Sequence, residues 1–211
     1  CKVHDEKFRI NWKKKQQKLK KIVANYKNNS DGKHDCIIPV SGARDSFFIV
    51  DYVKNILRLN PLLVNYNKHY NTIYSHKNLS KLRSIIGCSL ITLTVKPQTV
   101  KKITKATIKK IGSIYWHCIA GQTVFPVKLA CKLKIPLIIW GAHQGVDQVG
   151  VFSHYEEVEM TRKYRKEHYL MGNEAEDFIG YYGLTKKDLE NFLYPSDDEI
   201  QKVGVRGIYL N

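Results

Sequence analysis

Four short, nearly unbroken apolar runs lie in the first two thirds of the sequence, and they limit the fold more than any other feature. They are Asp35-Cys36-Ile37-Ile38-Pro39-Val40, Pro61-Leu62-Leu63-Val64-Asn65-Tyr66, Ser89-Leu90-Ile91-Thr92-Leu93-Thr94-Val95 and Ile135-Pro136-Leu137-Ile138-Ile139-Trp140. Each predicts a strand, and their near-continuous apolarity predicts burial on both faces. Helical patterns stand between them: Asp45 to Leu57, Asn78 to Ile86 closed by Gly87, Val100 to Ile111, and Thr123 to Lys132. A further helix is predicted over 11–28, with Ile22, Val23 and Tyr26 inward and lysines outward, ending at the turn cluster Asn28-Asn29-Ser30-Asp31-Gly32. Strands alternating with helices give an α/β fold, a parallel sheet covered on both faces. From Ala142 onward the periodicity weakens, which predicts an irregular or helical extension around the site rather than a second domain.

With 211 residues, 43% of them hydrophobic, the chain can bury one sizeable core. No run approaches the roughly 18 apolar residues of a membrane span, and no signal-peptide pattern opens the sequence. Five scattered cysteines, never in a Cys-x-x-Cys pair, argue against a disulfide framework and lead to the expectation of a reducing, cytoplasmic setting. The net charge of +16 is unevenly spread. Residues 1–146 hold 27 basic and 6 acidic side chains, a net of +21, whereas 147–211 hold 8 and 13, a net of −5. Much of the excess lies in the lysine-rich stretch from Trp12 to Lys21. A solvated helix face accounts for it, and a nucleic-acid surface is the alternative.

The octet Pro39-Val40-Ser41-Gly42-Ala43-Arg44-Asp45-Ser46 follows the first strand and opens a helix. Such a junction aims backbone N–H groups and the positive helix end beyond the strand, where an anion can sit. The serine hydroxyls add donors, Gly42 permits close approach, and Arg44 adds charge. Asp45 would repel a bare phosphate, so its place here suits a magnesium ion bridging phosphate oxygens. The octet is not a Walker A loop, which needs Gly-x-x-x-x-Gly-Lys-Ser/Thr.

Ser41 to Ser46 resembles the PP-loop, Ser-Gly-Gly-x-Asp-Ser, of enzymes that cleave ATP between the α and β phosphates. Ala43 stands where that pattern has its second glycine; if the position needs φ > 0, the methyl group would cost about 1 kcal/mol or more. Further segments resemble one branch of that superfamily, the N-acetyl sugar amidotransferases. They are the approach 35–40, Asn60-Pro61-Leu62-Leu63-Val64, Tyr115-Trp116-His117-Cys118-Ile119-Ala120-Gly121-Gln122, the run 135–141, and Gln148-Val149-Gly150-Val151-Phe152-Ser153 with Glu156 and Glu159-Met160-Thr161. The resemblance implies a Rossmann-like adenine nucleotide alpha hydrolase (PP-loop) fold over 35–211. It makes 1–34 a basic helical segment after a cysteine-rich, zinc-ribbon-like stretch of which Cys1-Lys2-Val3-His4 would be the last part. One Cys and one His cannot close a zinc site, which needs about four ligands, so no metal is expected there.

The same resemblance implies ATP and Mg2+ as cofactors, a nucleotide-linked N-acetyl sugar as substrate, and a separate glutaminase subunit supplying ammonia. Ser41, Gly42, Ala43, Arg44, Asp45 and Ser46 would hold the pyrophosphate, with Asp45 meeting magnesium. Val64, Asn65 and Tyr66 would lie near adenosine, because adjacent strand ends form the ligand crevice of open α/β sheets. Gly141 could admit the α-phosphate. His117 is the candidate for contacting the sugar amide or moving a proton, its ordinary pKa lying near working pH, while Glu156 and Glu159 could orient ammonia or sugar hydroxyls. For each, a plain alternative stands: a hydrogen-bonded structural histidine and a solvated acidic helix face. Two rival functions stay open as well. One is a tRNA-modifying PP-loop enzyme using the basic N-terminal portion; the other is an inactive nucleotide-binding module.

Overall fold

The computed structural model describes residues 5–27, 34–141, 152–156 and 158–210. The readings placed on Cys1 to His4, on the 28–32 turn and on Gln148 to Val151 lie outside the described residues.

Helix α1 (Trp12–Ala24) is capped by Asn11, whose side chain accepts from the Lys14 amide at 3.0 Å. It lays Leu19, Ile22 and Val23 on the core, with Tyr26 just beyond its end, as the apolar spacing predicts. Strand β1 (Cys36–Pro39) leads through residues 40–43 into α2 (Arg44–Asp51). A π turn, Tyr52–Ile56, follows, with the Leu57 amide donating to the Tyr52 carbonyl at 3.0 Å. The wider turn brings Val53 and Leu57 onto the same buried side as Val50, which explains the mixed apolar spacing of this segment. Next come β2 (Pro61–Tyr66), α3 (Ile73–Ile86), β3 (Ser89–Leu93), α4 (Pro97–Ile111), α5 (Trp116–Leu133) and β4 (Leu137–Trp140). Beyond the 142–151 stretch lie α6 (Arg162–His168), two 3-10 turns, α7 (Lys186–Leu189) and α8 (Asp197–Val203).

A fifth strand, β5 (Arg206–Tyr209), then pairs in parallel with β4. Gly207-Ile208-Tyr209 is too short and too mixed to signal a strand by itself. Three helices begin earlier than their periodicity predicts, α4 at Pro97 rather than Val100. Thr72 caps α3 through the Ser75 amide, five residues ahead of the expected start. In α5 the residues Trp116, His117, Cys118, Ala120 and Gly121 are all buried, so that end has no polar face to reveal a helical period.

The sheet order is β3-β2-β1-β4-β5, with every pairing parallel. Alternate residues of each inner strand feed opposite layers. Cys36, Ile38, Leu63, Leu137 and Ile139 pack beneath α1, α2 and α3. Ile37, Leu62, Val64, Ile138 and Trp140 pack against α5 and Tyr164 of α6. Tyr66 joins α4, the start of α5 and the 170–192 segment in a third apolar group. Helices therefore cover both faces: this is the expected α/β fold, a Rossmann-like parallel sheet. The chain builds outward from β1 through β2 to β3, then returns to β4 on the other side of β1. The carboxyl ends of β1 and β4 flank this reversal, where open α/β sheets hold their ligands.

Candidate functional site

Residues 40–46 lie at that reversal. The Val40 amide still donates to the Val64 carbonyl at 2.8 Å, carrying the sheet pairing to the mouth of the loop. Gly42 has φ +77, and a Cβ there would lie 2.9 Å from the Ser75 carbonyl oxygen and 3.1 Å from the Leu79 side chain. Glycine is required twice over, by conformation and by space. Ser75 Oγ donates to the Ser41 carbonyl at 3.1 Å and Asn78 Nδ2 donates to the Gly42 carbonyl at 3.0 Å, so α3 buttresses the loop.

The departing residue causes no backbone strain. Ala43 has φ −76 and ψ 166, an ordinary extended conformation, so the penalty considered for a left-handed alanine does not arise. Ala43 is the N-cap of α2 and offers no capping side chain. The Ser46 amide turns back onto the Ala43 carbonyl at 3.0 Å, and no side chain caps the turn ahead of it, the arrangement of helix-terminal anion sites. Inside the turn the Ser41 amide donates to Ser46 Oγ at 3.1 Å, and Ser46 is buried.

A cleft of about 480 Å³ opens over this turn, within the range typical of small-molecule sites, roughly 300–1,000 Å³. Ser41, Ala43, Asp45 and Ser46 line it, together with Val64, Asn65, Tyr66 and Gly141. The strand-end residues expected beside the loop are therefore beside it. A Cβ on Gly141 would come within 3.0 Å of Ile49, so a larger residue would crowd the floor. Asn65 donates through Nδ2 to the Val40 carbonyl at 2.7 Å, while its buried Oδ1 has no partner, leaving an acceptor that suits an N–H of a base.

Two loop residues stand differently. Gly42 faces α3 behind the cleft, and the Arg44 side chain is 98% exposed, 3.8 Å from Asp45, and outside the lining. Among the described residues, the lining holds one cation and one carboxylate, Lys68 and Asp45. Lys68 was missed in the sequence, although its position two residues past the end of β2 was the available signal. Gln122, Cys118 and Tyr209 also line the cleft and carried no sequence signal of their own.

His117 stands behind the cleft wall rather than on it. It is fully buried in α5, outside the cleft lining, and lies 3.2 Å from the Tyr66 hydroxyl through Nδ1 and 3.4 Å from Cys118 Sγ through Nε2. Burial, aided by His69, pushes its pKa down to about 4, which favours the neutral imidazole near neutral pH. Burial likewise pushes the Cys118 thiol up to about 11 and keeps it protonated.

Glu156 and Glu159 lie elsewhere again, in a second groove between α1, α2 and β5. Glu156 accepts from the Ser153 amide at 2.8 Å; Glu159 Oε1 accepts from Arg206 Nε at 2.8 Å and from Nη2 at 2.6 Å. His117, Glu156 and Glu159 therefore do not form one constellation.

The residues fit a magnesium ion only in part. No group of three or more His, Cys, Asp or Glu residues among those described could hold a metal. Asp45, 68% exposed on its side chain, offers one carboxylate to a cation brought in by phosphates, the usual manner for magnesium.

No protein-family model matches the chain, and neither does any curated protein. Similar solved structures include an NH3-dependent NAD synthetase from Campylobacter jejuni subsp. jejuni, 16% identical, and an NMN synthetase from Francisella tularensis, 12% identical. Each alignment covers 92% of both chains with a TM-score of 0.47. The fold assignment above rests on the strand order and register.

Proposed function

We propose that this chain is an ATP-dependent amidotransferase of the PP-loop kind, acting on the acetamido group of a nucleotide-linked N-acetyl sugar. The observation that carries the reading is the uncapped Ser41–Ser46 turn at the β1–β4 reversal, opening into a cleft with Asp45 and Lys68 on its wall. ATP-dependence rests on that geometry; the sugar rests on the sequence resemblance of the segments around His117, Glu156 and Glu159.

An acetamido carbonyl is a poor electrophile, and its oxygen must become a leaving group before nitrogen can replace it. Attack of that oxygen on the α-phosphorus of ATP breaks the α–β bond and releases pyrophosphate. Ammonia then adds to the adenylated carbon and gives up a proton, and AMP departs with the former carbonyl oxygen, leaving an acetamidino sugar. The chain's own contribution is positioning and charge stabilisation. The α2 amides, Ser41 and Ser46 would hold the departing pyrophosphate, with Asp45 holding the magnesium that neutralises it. Lys68 would add a positive charge, and Asn65 and Tyr66 would bound the nucleoside. Ammonia would come from a partner glutaminase: the buried, protonated Cys118 beside a neutral His117 is no activated nucleophile.

The test is pyrophosphate release from ATP, magnesium and ammonium, with UDP- and CMP-linked N-acetyl sugars compared against bulk tRNA. Release that needs one of the sugars supports the reading. Release that needs tRNA alone replaces it with a tRNA-modifying enzyme, and ATP binding without turnover with any of them makes the chain a nucleotide-binding module.

A further inference from the structure

The helix that carries His117 reaches the loop cleft with its other side. Tyr115, Ile119, Gln122 and Pro126 line the cleft at intervals of three or four residues, so one face of α5 meets it. His117, two residues from both Tyr115 and Ile119, is turned about 200° away around the helix axis. The remaining lining positions of α5 are Cys118 and Thr123, so this wall carries no charge of its own. It is no place for a phosphate.

Two of its residues are chemically specific. Gln122 is half-buried, and its Nε2 donates to the Cys118 carbonyl at 3.0 Å. A carbonyl can only accept, so the amide is held one way round, and Oε1 is left as an acceptor with no partner among the described residues. Two turns earlier, about 10 Å along the axis, stands Tyr115. It is 55% exposed and rests against Tyr70, itself 58% exposed, with ring centroids 6.0 Å apart. Such a ring offers a flat apolar surface for the C–H face of a pyranose, with a hydroxyl tip free for a hydrogen bond.

Resting on the amidotransferase reading, we propose that this face of α5 is the subsite for the acetamido sugar. Gln122 Oε1 accepts the acetamide N–H, and the Tyr115 ring underlies the sugar. The arrangement serves the chemistry as well as the shape. The acetamide oxygen must act as the nucleophile toward the α-phosphorus. An acceptor on the N–H draws the nitrogen lone pair further into the amide, which places more electron density on that oxygen and leaves it uncovered. The part first considered for His117 falls to its neighbours on the opposite side of the same helix.

Three substitutions away from the phosphate loop test this: Gln122→Met, Tyr115→Ala and Tyr115→Phe. UDP-N-acetylglucosamine and CMP-N-acetylneuraminate are titrated into protein saturated with α,β-methylene-ATP, beside UDP and CMP, which lack the sugar. Gln122→Met and Tyr115→Ala should each weaken the sugar nucleotide that the unaltered protein binds by about tenfold or more. Both should leave its sugar-free counterpart and ATP within about twofold, and Tyr115→Phe, which keeps the ring, should bind like the unaltered protein. At saturating substrates Gln122→Met should also slow pyrophosphate release about tenfold, while Tyr115→Ala acts on KM alone. Unchanged sugar-nucleotide affinity in either Gln122→Met or Tyr115→Ala would overturn the subsite, and equal losses for the sugar nucleotide and ATP would give this wall to ATP instead. Unaltered protein that binds ATP but neither sugar nucleotide, and releases pyrophosphate with no N-acetyl sugar, would sink the amidotransferase reading itself, a result that involves none of the variants.

Discussion

The hydroxyl of Tyr66, at the end of β2, lies 3.2 Å from Nδ1 of His117 in α5. Which atom donates depends on which ring nitrogen carries the proton; the other nitrogen, Nε2, faces Cys118 Sγ at 3.4 Å. The bond ties the cleft wall to the helix behind it, and it makes His117 a positioning residue.

Acid should therefore weaken the fold through His117. Unfolded, this histidine takes its proton near the ordinary 6.5; folded, it does so only near 4. Between those values the unfolded state binds more protons, so its contribution is complete above pH 6.5 and is lost as pH falls toward about 4. The loss should be on the order of 2–3 kcal/mol. Urea midpoints measured across this window should fall with acid in the unaltered protein and fall less in His117→Gln.

Gly121 is the packing partner of that tyrosine. A Cβ at this position would sit 2.5 Å from the Tyr66 ring, so the ring would have to move. Gly121→Ala should destabilise by about 1–3 kcal/mol, as overpacking does, and should break the Tyr66–His117 bond. Thermal unfolding together with the histidine ring shifts in NMR spectra reads both effects.

The two small residues of the loop should behave oppositely. Gly42→Ala forces a methyl group into positive φ and against the Ser75 carbonyl, at a cost of at least about 1–2 kcal/mol. Ala43→Gly, which restores the second glycine of the PP-loop pattern, should change stability by less than about 1 kcal/mol, because Ala43 is already unstrained. Denaturant titration of the two variants side by side decides it.

A buried ion pair outside both pockets gives an independent check on the packing. Arg165 is fully buried, hydrogen-bonded through Nη2 to Glu174 and 4.3 Å over the Tyr194 ring. Arg165→Ala leaves the buried Glu174 carboxylate with only the longer Arg162 contact, at 3.8 Å, and should cost about 3–5 kcal/mol, whereas Arg165→Met combined with Glu174→Gln should recover part of that. Equal losses in the single and double variants would contradict this account of the pair.

Much of this architecture was legible beforehand. The 61–66 strand has the predicted ends, and the other three runs shift by no more than two residues, because doubly buried strands are bounded by abrupt changes in polarity. The loop was legible for a related reason: a Ser-Gly turn between strand and helix constrains the backbone locally. What was hidden depends on distant partners. Ser75 and Asn78 support the loop from a helix thirty residues away, and β5 exists only because β4 offers an edge. His117 looked like a working residue because histidine titrates near neutrality; its burial, invisible in sequence, removes that property.

The most direct test of the central claim is which bond of ATP is broken. The products formed from ATP, magnesium, ammonium and the accepted N-acetyl sugar nucleotide should be separated and counted, for the unaltered protein and for Asp45→Ala. The account predicts AMP and pyrophosphate in equal amounts. It also predicts a rate at least about 100-fold lower in Asp45→Ala, with stability changed by less than about 0.5 kcal/mol because the side chain is exposed. ADP and phosphate as products, or full AMP formation without Asp45, would contradict it.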